Sequence, residues 1–589
     1  MLAATEPVLL VVDDLHWCDQ QTLRFLHYVL RVSPDSRLMV AAAARLEELD
    51  HPPLHDLVTE LRVRERLAEI ELARLTPEET ATLAGQPAPP RPAAESEQLY
   101  RETEGNPLFV IEAVRAGAQS RKVQAVIEAR LARLSDSARE LAGLAAAIGR
   151  ECTTDVLAAA KQTGDLELVR DLDELWRRRI IREQGPDGYD FSHDKLREVA
   201  YRSVSPVRRR HHHLRIAEAL RRRPEPESGQ IATHYERAGA TGEAVTWYAD
   251  AARVAQLLHA DAEAARLLDR GLDLLGAQPP SQARDERELA LLTALLAPLS
   301  TLEGYASPRL SAVQQRAGEL VRALGAEPSP PLLRSLALSG LVHADFDAAQ
   351  RCGEQLVARG ERDADEVLVV EGGYVLGIAA FWQADFATAR RYFELAVARY
   401  RPEQRQIHLL RYGADPEVVC LSRMANALWF LGEPVAAITA RDAALARADE
   451  IGHPLSLGVA LVFAALLAID MGERTALRRY ADQLSAIEER GRPNDIVREA
   501  LCGYVQVLDG HPRAGIRRIQ QAVARTADGD SAPGLGPVLQ RVLLAACQAA
   551  DDARTGLATA ERLLEMGGGA AVWRSEARRL RSAFAARAR

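Results

Sequence analysis

The sequence predicts a mainly α-helical chain with a partial α/β core near its N-terminus, a helical segment that ends in a β-hairpin, and a long α-solenoid. Three observations lead to this prediction. An apolar run near the N-terminus ends in two aspartates. Turn residues separate two short β-type runs near residue 186, and helical patterns joined by short turns recur from about residue 229 onward.

Composition limits the class of protein. The 589 residues are too many for one hydrophobic core and predict about three to five domains. A net charge of −9 gives the chain as a whole no electrostatic attraction for nucleic acid. The six cysteines lack CxxC pairs and zinc or disulfide spacing, as is typical of a reduced protein. No signal-peptide pattern and no run long enough to span a bilayer are found, so we expect a cytoplasmic location without membrane contact.

The first predicted element is a strand. Residues 7–12 (PVLLVV) form a continuous apolar run, which is typical of a strand buried on both faces of a parallel sheet. A helix is predicted from about Gln20 to Arg31, and a second apolar run follows at residues 38–43. This order predicts half of an α/β core in residues 1–90.

The same region continues with a third apolar run at residues 67–72, for which we expect a further strand. It precedes Thr76 and Pro77, where Thr suits the N-cap of a helix and Pro suits its first position.

A proline-rich stretch at residues 86–92 predicts a linker. Helical patterns follow, and the turn sequence from Gln184 to Gly188 lies between two short β-type runs. We therefore predict a helical lid at residues 95–135 and a winged-helix-like module at residues 136–225.

Residues 229–589 are predicted to form a solenoid of tetratricopeptide (TPR)-like helix pairs. In the clearest unit, Gly377 and Ala380 precede a turn at Ala384, and Ala389 and Phe393 follow at helical spacing. Small residues let two helices approach, and an aromatic ring fills the gap beside them. Equivalent turns recur 38 to 48 residues apart, at Ala344, Gly432, Gly472, Gly510 and Ala550.

Two basic segments are predicted to be structural. Consecutive histidines in the run from Arg208 to His213 point in different directions on a helix and cannot share one metal ion, so we expect a solvated helix start there. Residues 574–589 predict an amphipathic helix that caps the solenoid, with Leu580 and Phe584 among its apolar residues.

The two adjacent carboxylates Asp13 and Asp14 are candidates for chemistry. They follow a predicted buried strand, and ligands of α/β folds bind at the carboxyl edge of the sheet. Asp13 could hold a Mg²⁺ ion beside nucleotide phosphates, and Asp14 could position or deprotonate a water molecule. The alternative is a plain buried strand that meets a polar turn.

Four segments together resemble the STAND-type, AAA-related ATPase modules of large bacterial signalling proteins, including LuxR-type and SARP-type transcriptional regulators. They are LVVDDLHWCDQQTLRFL (10–26), AAARLEEL (42–49), TEGNPLFVIEAV (103–114) and YDFSHDKLREVAY (189–201). The first resembles the Walker B region, which implies a P-loop-type NTPase core that binds ATP and Mg²⁺.

The resemblance implies roles for three further residues. Arg45 would face the γ-phosphate, Pro107 of the lid motif would pack near the adenine, and His193 of the winged-helix motif would approach the β-phosphate. Farther along, LEGYASP (302–308) and the segment 411–434 (RYGADPEVVCLSRMANALWFLGEP) resemble the repeat domain that accompanies these modules, especially in SARP-type regulators.

The chain departs from this family at the phosphate-binding loop, G-x-x-x-x-G-K-[ST]. Its three lysines follow Arg121, Ala160 and Asp194, so the sequence contains no Gly-Lys pair. The backbone N–H groups and the lysine of that loop hold the phosphates. We expect the missing half of the module to lie before Met1, and the chain alone to bind ATP poorly and hydrolyse it hardly at all.

Three functions follow from these features. In the first, which the resemblance implies, the chain would be the ATPase–TPR portion of a transcriptional regulator, in which ATP switches the conformation of the complete protein. Alternatively it is a nucleotide-inactive TPR scaffold, or one half of a split ATPase. In each case the solenoid would contact a protein or small-molecule ligand, and it could also self-associate. DNA would be contacted only through a domain outside this chain.

Overall fold

The computed structural model of the chain describes residues 7–13, 15, 18–32, 37–44, 52–64, 66–85, 93–103, 105–116, 123–149, 152–185, 187–487, 495–525, 535–566 and 568–587. The chain divides into two compact units. The first contains residues 1–154 and 163–205, and the second contains residues 155–162 and 206–589. The predicted division into four domains is finer and stays a prediction.

The elements up to residue 205 are short. They are β1 (Val8–Val12), α1 (Gln20–Val32), β2 (Leu38–Ala42), α2 (Pro52–Val63), α3 (Pro77–Ala84), α4 (Ala93–Thr103), α5 (Pro107–Ala116), α6 (Val123–Ala132), α7 (Asp136–Ile148), β3 (Cys152–Thr153), α8 (Thr154–Lys161), α9 (Asp165–Arg177), β4 (Ile181–Gln184), β5 (Gly188–Phe191) and α10 (Asp194–Ser203). From Asp155 onward, α8 belongs to the second unit.

The first two apolar runs form a parallel pair of strands. β1 and β2 pair from Val8 opposite Leu38 to Val12 opposite Ala42. Beside them, one residue between β1 and α1 and the apolar residues of α1 and α2 form a small core: Leu15, Leu23, Leu26, Leu54 and Leu57. The predicted strand–helix–strand order is therefore confirmed.

The third apolar run is not a strand, contrary to the prediction. Residues 66–76 have no regular secondary structure and are mostly exposed. A strand needs hydrogen-bonded neighbours, so an apolar run without such a neighbour does not form one. The helix start that follows is confirmed: Thr76 Oγ1 accepts from Glu79 N, and the Glu79 carboxylate accepts from Thr76 N, which completes a capping box.

The predicted hairpin lies within a three-stranded antiparallel sheet of order β3–β5–β4. Its turn passes through Gly185, which has a φ of +69°. In chain order the elements are α7, β3, α8, α9, β4 and β5, which is the order of a winged-helix module.

The second unit consists of helices. They are α11 (Pro206–Leu220), α12 (Ser228–Ala238), α13 (Thr241–Leu257), α14 (Asp261–Gly276), α15 (Gln282–Leu302), α16 (Pro308–Leu324), α17 (Pro330–Val342), α18 (Phe346–Asp363), α19 (Glu366–Trp382), α20 (Phe386–Arg399), α21 (Arg405–Tyr412), α22 (Pro416–Phe430), α23 (Pro434–Ile451), α24 (Pro454–Met471), α25 (Arg474–Ala486), α26 (Asp495–Leu508), α27 (Pro512–Arg525), α28 (Gly536–Ala550), α29 (Ala553–Glu565) and α30 (Arg574–Arg587), with 3₁₀ turns at Pro402–Gln404 and Gly568–Trp573.

The predicted repeat turns join consecutive helices that pack against each other, which confirms the α-solenoid. In each turn one residue with positive φ follows the end of the first helix, which is a common way for a helix to end. These residues have φ between +54° and +87°: Ala344, Ala384, Gly432, Gly472, Gly510 and Asp551. In the last turn, which begins at Ala550, Asp551 takes this conformation.

Packing within the clearest repeat depends on a glycine. A Cβ atom at Gly377 on α19 would lie 2.5 Å from the ring of Phe393 on α20. Phe393 and Ala389 are fully buried. The ring therefore occupies the space that the missing side chain leaves, as the TPR pattern predicts. Buried apolar residues continue from Ala337 to Phe584 in one cluster, and Leu580 and Phe584 place α30 against its end.

The prediction of a solvated helix start at the histidine run is confirmed for Arg208, Arg210 and His211, which are exposed, and wrong for the two histidines that follow. His212 and His213 are buried on α11, and His213 Nδ1 lies 2.9 Å from Nδ1 of the buried His234 on α12. Only His211 of the three is exposed. Tertiary packing of α11 against α12 covers these side chains.

Within the part of the chain that the structure describes, one helix is long and apolar enough to cross a membrane by length and composition. α24 has a mean hydropathy of 2.1 over 18 residues, and 72% of that stretch is buried within the second unit. Its burial is that of a core helix of the solenoid.

Candidate functional site

The predicted nucleotide-site residues all fall in the first unit. Asp13 directly follows β1, and the paired strands β1 and β2 end at the same edge. There Ala43 N donates to Val12 O at 2.9 Å, and Leu15 N donates to Ala43 O at 2.7 Å. Asp13 is exposed at this edge, so its carboxylate is accessible to a cation. Asp14 and Arg45 lie outside the described residues.

The predicted burial of β1 on both faces is not observed: Leu10 is 38% exposed, and the opposite face is more open to solvent. Leu9 is 61% exposed, and Met39, its partner in the register, is 67% exposed. Val11, on the same face as Leu9, is 67% exposed. Parallel sheets are normally covered on both faces, and exposed apolar patches often mark contacts with other protein segments.

Pro107 begins α5 in a turn with a clear local cause. Gly105 has a φ of +70°, and a Cβ atom there would lie 2.2 Å from Leu75 O. Leu75 N donates to Gly105 O at 2.9 Å, which holds the turn against the segment before α3. The Asn106 side chain accepts from Phe109 N at 3.4 Å, and Pro107 occupies the first helical position. The Gly-Asn-Pro motif thus builds a helix start, and Pro107 is exposed.

His193 is the N-cap residue of α10. Its carbonyl oxygen accepts from Leu196 N at 2.9 Å, and its side chain makes no capping hydrogen bond. The preceding Ser192 closes the base of the hairpin by donating from its N to Ile180 O at 2.9 Å. The ring is half-buried. The predicted approach of His193 to a β-phosphate stays a prediction.

The helix that would read DNA in a winged-helix protein is acidic. α9 carries five carboxylates and two arginines. Leu166, Val169 and Trp176 are exposed along it. Carboxylates repel the phosphate backbone, so this helix is unsuited to DNA contact.

The solenoid contains a buried polar group that the sequence interpretation missed. Arg334 Nε on α17 lies 2.7 Å from Glu371 Oε2 on α19, and His408 Nδ1 on α21 lies 2.7 Å from Glu371 Oε1. Burial opposes the charge on Arg334, but Tyr374 and Glu371 outweigh it and raise the pKa of Arg334. In the sequence, this group could have been recognised from Glu371 itself, which is an acidic residue within the long apolar run of α19.

A second missed residue is Arg423 on α22. Its guanidinium carbon lies 3.6 Å from the centre of the Phe463 ring and 4.9 Å from that of Trp382. Nε and Nη1 are buried without a hydrogen-bond partner among the described residues. Burial lowers the pKa of Arg423 to about 9.

The described residues contain no group of three His, Cys, Asp or Glu side chains placed to hold a metal ion. Asp13, the predicted metal ligand, thus has no neighbouring group of protein ligands among these residues. A Mg²⁺ ion held there would need further ligands from water or nucleotide phosphates.

Comparison with known proteins identifies the architecture. No protein-family model matches the chain. An uncharacterized protein of Rhizobium meliloti is 24% identical over 544 residues, which cover 86% of this chain and 52% of the relative. The chain thus spans about half the length of this curated relative.

Among solved structures, a STAND (Signal Transduction ATPase with Numerous Domains) protein with a TPR sensor, from Pyrococcus horikoshii, aligns with a TM-score of 0.53. The alignment covers 99% of this chain and 84% of that chain at 14% identity. The two proteins share a fold, mainly α with a TPR-like solenoid. The crystal structure of a TPR domain covers 62% of this chain at 14% identity, but its TM-score of 0.18 supports no argument.

Proposed function

We propose that the chain is the ATPase–TPR portion of a bacterial signal-transducing transcriptional regulator. In the complete protein, ATP binding switches the conformation, and the solenoid receives a protein or small-molecule signal. The observation that carries this proposal is the order of the chain: a parallel strand pair that ends at Asp13, the Gly-Asn-Pro turn, the winged-helix order and then TPR-like helix pairs. The fold of the STAND protein with a TPR sensor supports it.

In this proposal each predicted residue has a task. Asp13 contacts Mg²⁺, and Asp14 positions or deprotonates the attacking water. Arg45, Pro107 and His193 contact the γ-phosphate, the adenine and the β-phosphate. The phosphate-binding loop comes from protein outside these 589 residues, since the sequence has no Gly-Lys pair.

The experiment is calorimetric titration of the purified chain with Mg-ATP, alone and with a segment that carries a phosphate-binding loop. That segment is sought in the DNA directly upstream of the Met1 codon. We expect weak or undetectable binding by the chain alone and tight binding by the completed core. In the completed core, Asp13→Ala should weaken Mg²⁺-dependent binding about tenfold or more.

The matched control for Asp13→Ala is Asp19→Ala. Asp19 belongs to the same segment and accepts from Thr22 N at 3.0 Å at the start of α1. Its replacement should leave ATP affinity unchanged. Equal binding by the completed core with and without the Asp13 carboxylate would refute the assigned role.

The exposed apolar face of β1 and β2 favours a split ATPase as the second candidate. In that case a separate chain supplies the missing half of the core and covers Leu9, Val11 and Met39. Co-purification of such a chain, lost when Val11→Asp is introduced, would favour this candidate over a core encoded in one chain. A nucleotide-inactive TPR scaffold is the remaining alternative, and failure of the completed core to bind ATP would select it.

A further inference from the structure

A cavity of about 450 Å³ lies in the second unit between α24, α25, α26, α28 and α30. Its volume falls in the range of about 300–1,000 Å³ that small-molecule sites occupy. The titratable side chains that line it are Asp470, Arg474, Tyr504, Arg541, Glu576 and Arg579.

Arg541 is the buried charge of this cavity. Its side chain is 6% exposed, and its Nε and Nη2 donate to Asp470 Oδ1 at 3.1 and 2.7 Å. Nη1 is buried and has no hydrogen-bond partner among the described residues. A buried N–H group without a partner costs about 1–3 kcal/mol. The residue lines the cavity, so its guanidinium places a positive charge beside any ligand there.

The remaining charges leave the cavity positive. Arg541 neutralises Asp470, and Arg579 donates to both oxygens of Glu576 at 2.6 and 2.7 Å. The third arginine, Arg474, is exposed, and its side chain has no partner among the described residues. The cavity therefore has one guanidinium more than it has carboxylates.

Tyr504 adds a hydroxyl to the same wall. Burial raises its pKa, while the nearby Arg541 and Arg474 act in the opposite direction. Both guanidinium groups therefore lie close enough to this hydroxyl to act on it electrostatically. The hydroxyl has no hydrogen-bond partner within the described part of the chain.

We infer that this cavity binds a small compound with an oxyanion group, a carboxylate or a phosphate, which accepts from Arg474 and the Tyr504 hydroxyl and lies beside the buried Arg541 guanidinium. Charge-assisted hydrogen bonds from arginine are the strongest that a protein offers such a group. The inference rests on the proposed role of the solenoid as the receiver of a signal, and it names the chemical class of that signal.

The test is calorimetric titration of the full chain with citrate, inorganic phosphate and AMP, each at constant ionic strength. Glycerol and adenosine serve as uncharged counterparts. We expect saturable binding of at least one anion and no binding of the counterparts. Binding by citrate alone identifies a carboxylate ligand, and binding by phosphate or AMP identifies a phosphate ligand.

Two variants test the site without disturbing the buried ion pair. Arg474→Gln removes an exposed charge that has no described partner, and Tyr504→Phe removes only a hydroxyl. Each should weaken anion binding, Arg474→Gln by about tenfold, as expected for loss of one charge-assisted hydrogen bond. Arg517→Gln, an exposed arginine of α27 outside the cavity, should have no effect. Absence of saturable binding by all three anions overturns the inference, and so does equal binding by the variants and the parent chain.

The result is separable from the proposed nucleotide function. Asp13 does not line this cavity, so Asp13→Ala should leave citrate and phosphate binding unchanged. Loss of anion binding in Arg474→Gln with unchanged Mg-ATP binding by the completed core would assign the two activities to different units.

Discussion

Glu371 and His408 form a buried hydrogen bond in which Oε1 lies 2.7 Å from Nδ1, and neither side chain is exposed. The other oxygen of Glu371 accepts from Arg334 Nε. One carboxylate therefore joins α17, α19 and α21 inside the solenoid. Since a buried charge is tolerated only when it is paired, these helices depend on each other through Glu371.

Replacing Glu371 tests this dependence. Glu371→Gln keeps the shape of the side chain but leaves the buried Arg334 without a counter-charge. We expect the free energy of unfolding to fall by about 3–5 kcal/mol, measured by urea denaturation. Glu354→Gln, an exposed carboxamide substitution on α18, should change it by less than about 0.5 kcal/mol. A loss below about 1 kcal/mol in Glu371→Gln would mean that the network contributes little.

Arg423→Met should stabilise the solenoid. The two buried N–H groups without partners each cost about 1–3 kcal/mol, whereas the desolvated contact with Phe463 contributes about 2 kcal/mol. The methionine retains most of the apolar stem without the charge. We expect a higher melting temperature by differential scanning calorimetry. Arg391→Met, an exposed arginine near the Tyr392 ring, provides the control and should leave it unchanged. A lower melting temperature for Arg423→Met would indicate that the charge is stabilising.

The His213–His234 pair should make stability fall in acid. Burial, together with the neighbouring Arg237 and the other histidines, lowers the pKa of His213 to about 4 and that of His234 to about 3. The unfolded chain binds these protons near pH 6.5, so the folded state is favoured above that pH. The free energy of unfolding therefore falls as the pH falls from about 6.5 toward 3. The loss is about 1.4 kcal/mol for each unit by which the pKa of a histidine in the folded state lies below its pKa in the unfolded state.

The measurement is urea denaturation of the chain at several pH values across this window. His234→Gln should flatten the pH dependence, because one of the two buried titrating rings is gone. His211→Gln, on the same helix as His213 but exposed, should leave the slope unchanged. An unchanged slope in His234→Gln would assign the acid sensitivity to other groups.

Gly105→Ala should destabilise the turn that places Pro107. Its Cβ would meet Leu75 O at 2.2 Å, and its positive φ disfavours any side chain. We expect the free energy of unfolding of the first unit to fall by about 2 kcal/mol or more. The measurement is the rate of limited proteolysis of that unit. Gly185→Ala is the matched control, because it has nearly the same φ but no atom within 4 Å of the new Cβ. It should cost only about 1 kcal/mol. Similar losses in the two variants would show that contact with Leu75 is unimportant.

Local sequence patterns were sufficient to predict those structural features that are caused by residues close together in the sequence. The repeat turns follow from small residues that end one helix and allow the next to pack, as at Ala384 and Gly472. The capping box at Thr76 and the hairpin around Gly185 likewise depend on residues a few positions apart. The fold class was therefore predictable. Asp13 was predicted from its place after an apolar strand, whereas Pro107 and His193 were predicted only through the family resemblance, and all three nucleotide contacts stay predictions.

By itself, the sequence determined the mainly helical fold, the positions of the solenoid turns and the apolar strand that ends at Asp13. Only the tertiary structure decided that residues 67–72 form no strand and that His213 is buried against His234. It also decided that Glu371 meets Arg334 and His408, and that Arg541 carries an unpaired donor beside a cavity. These contacts join residues that are distant along the chain, and no local period or spacing encodes which of them the packing of helices brings together.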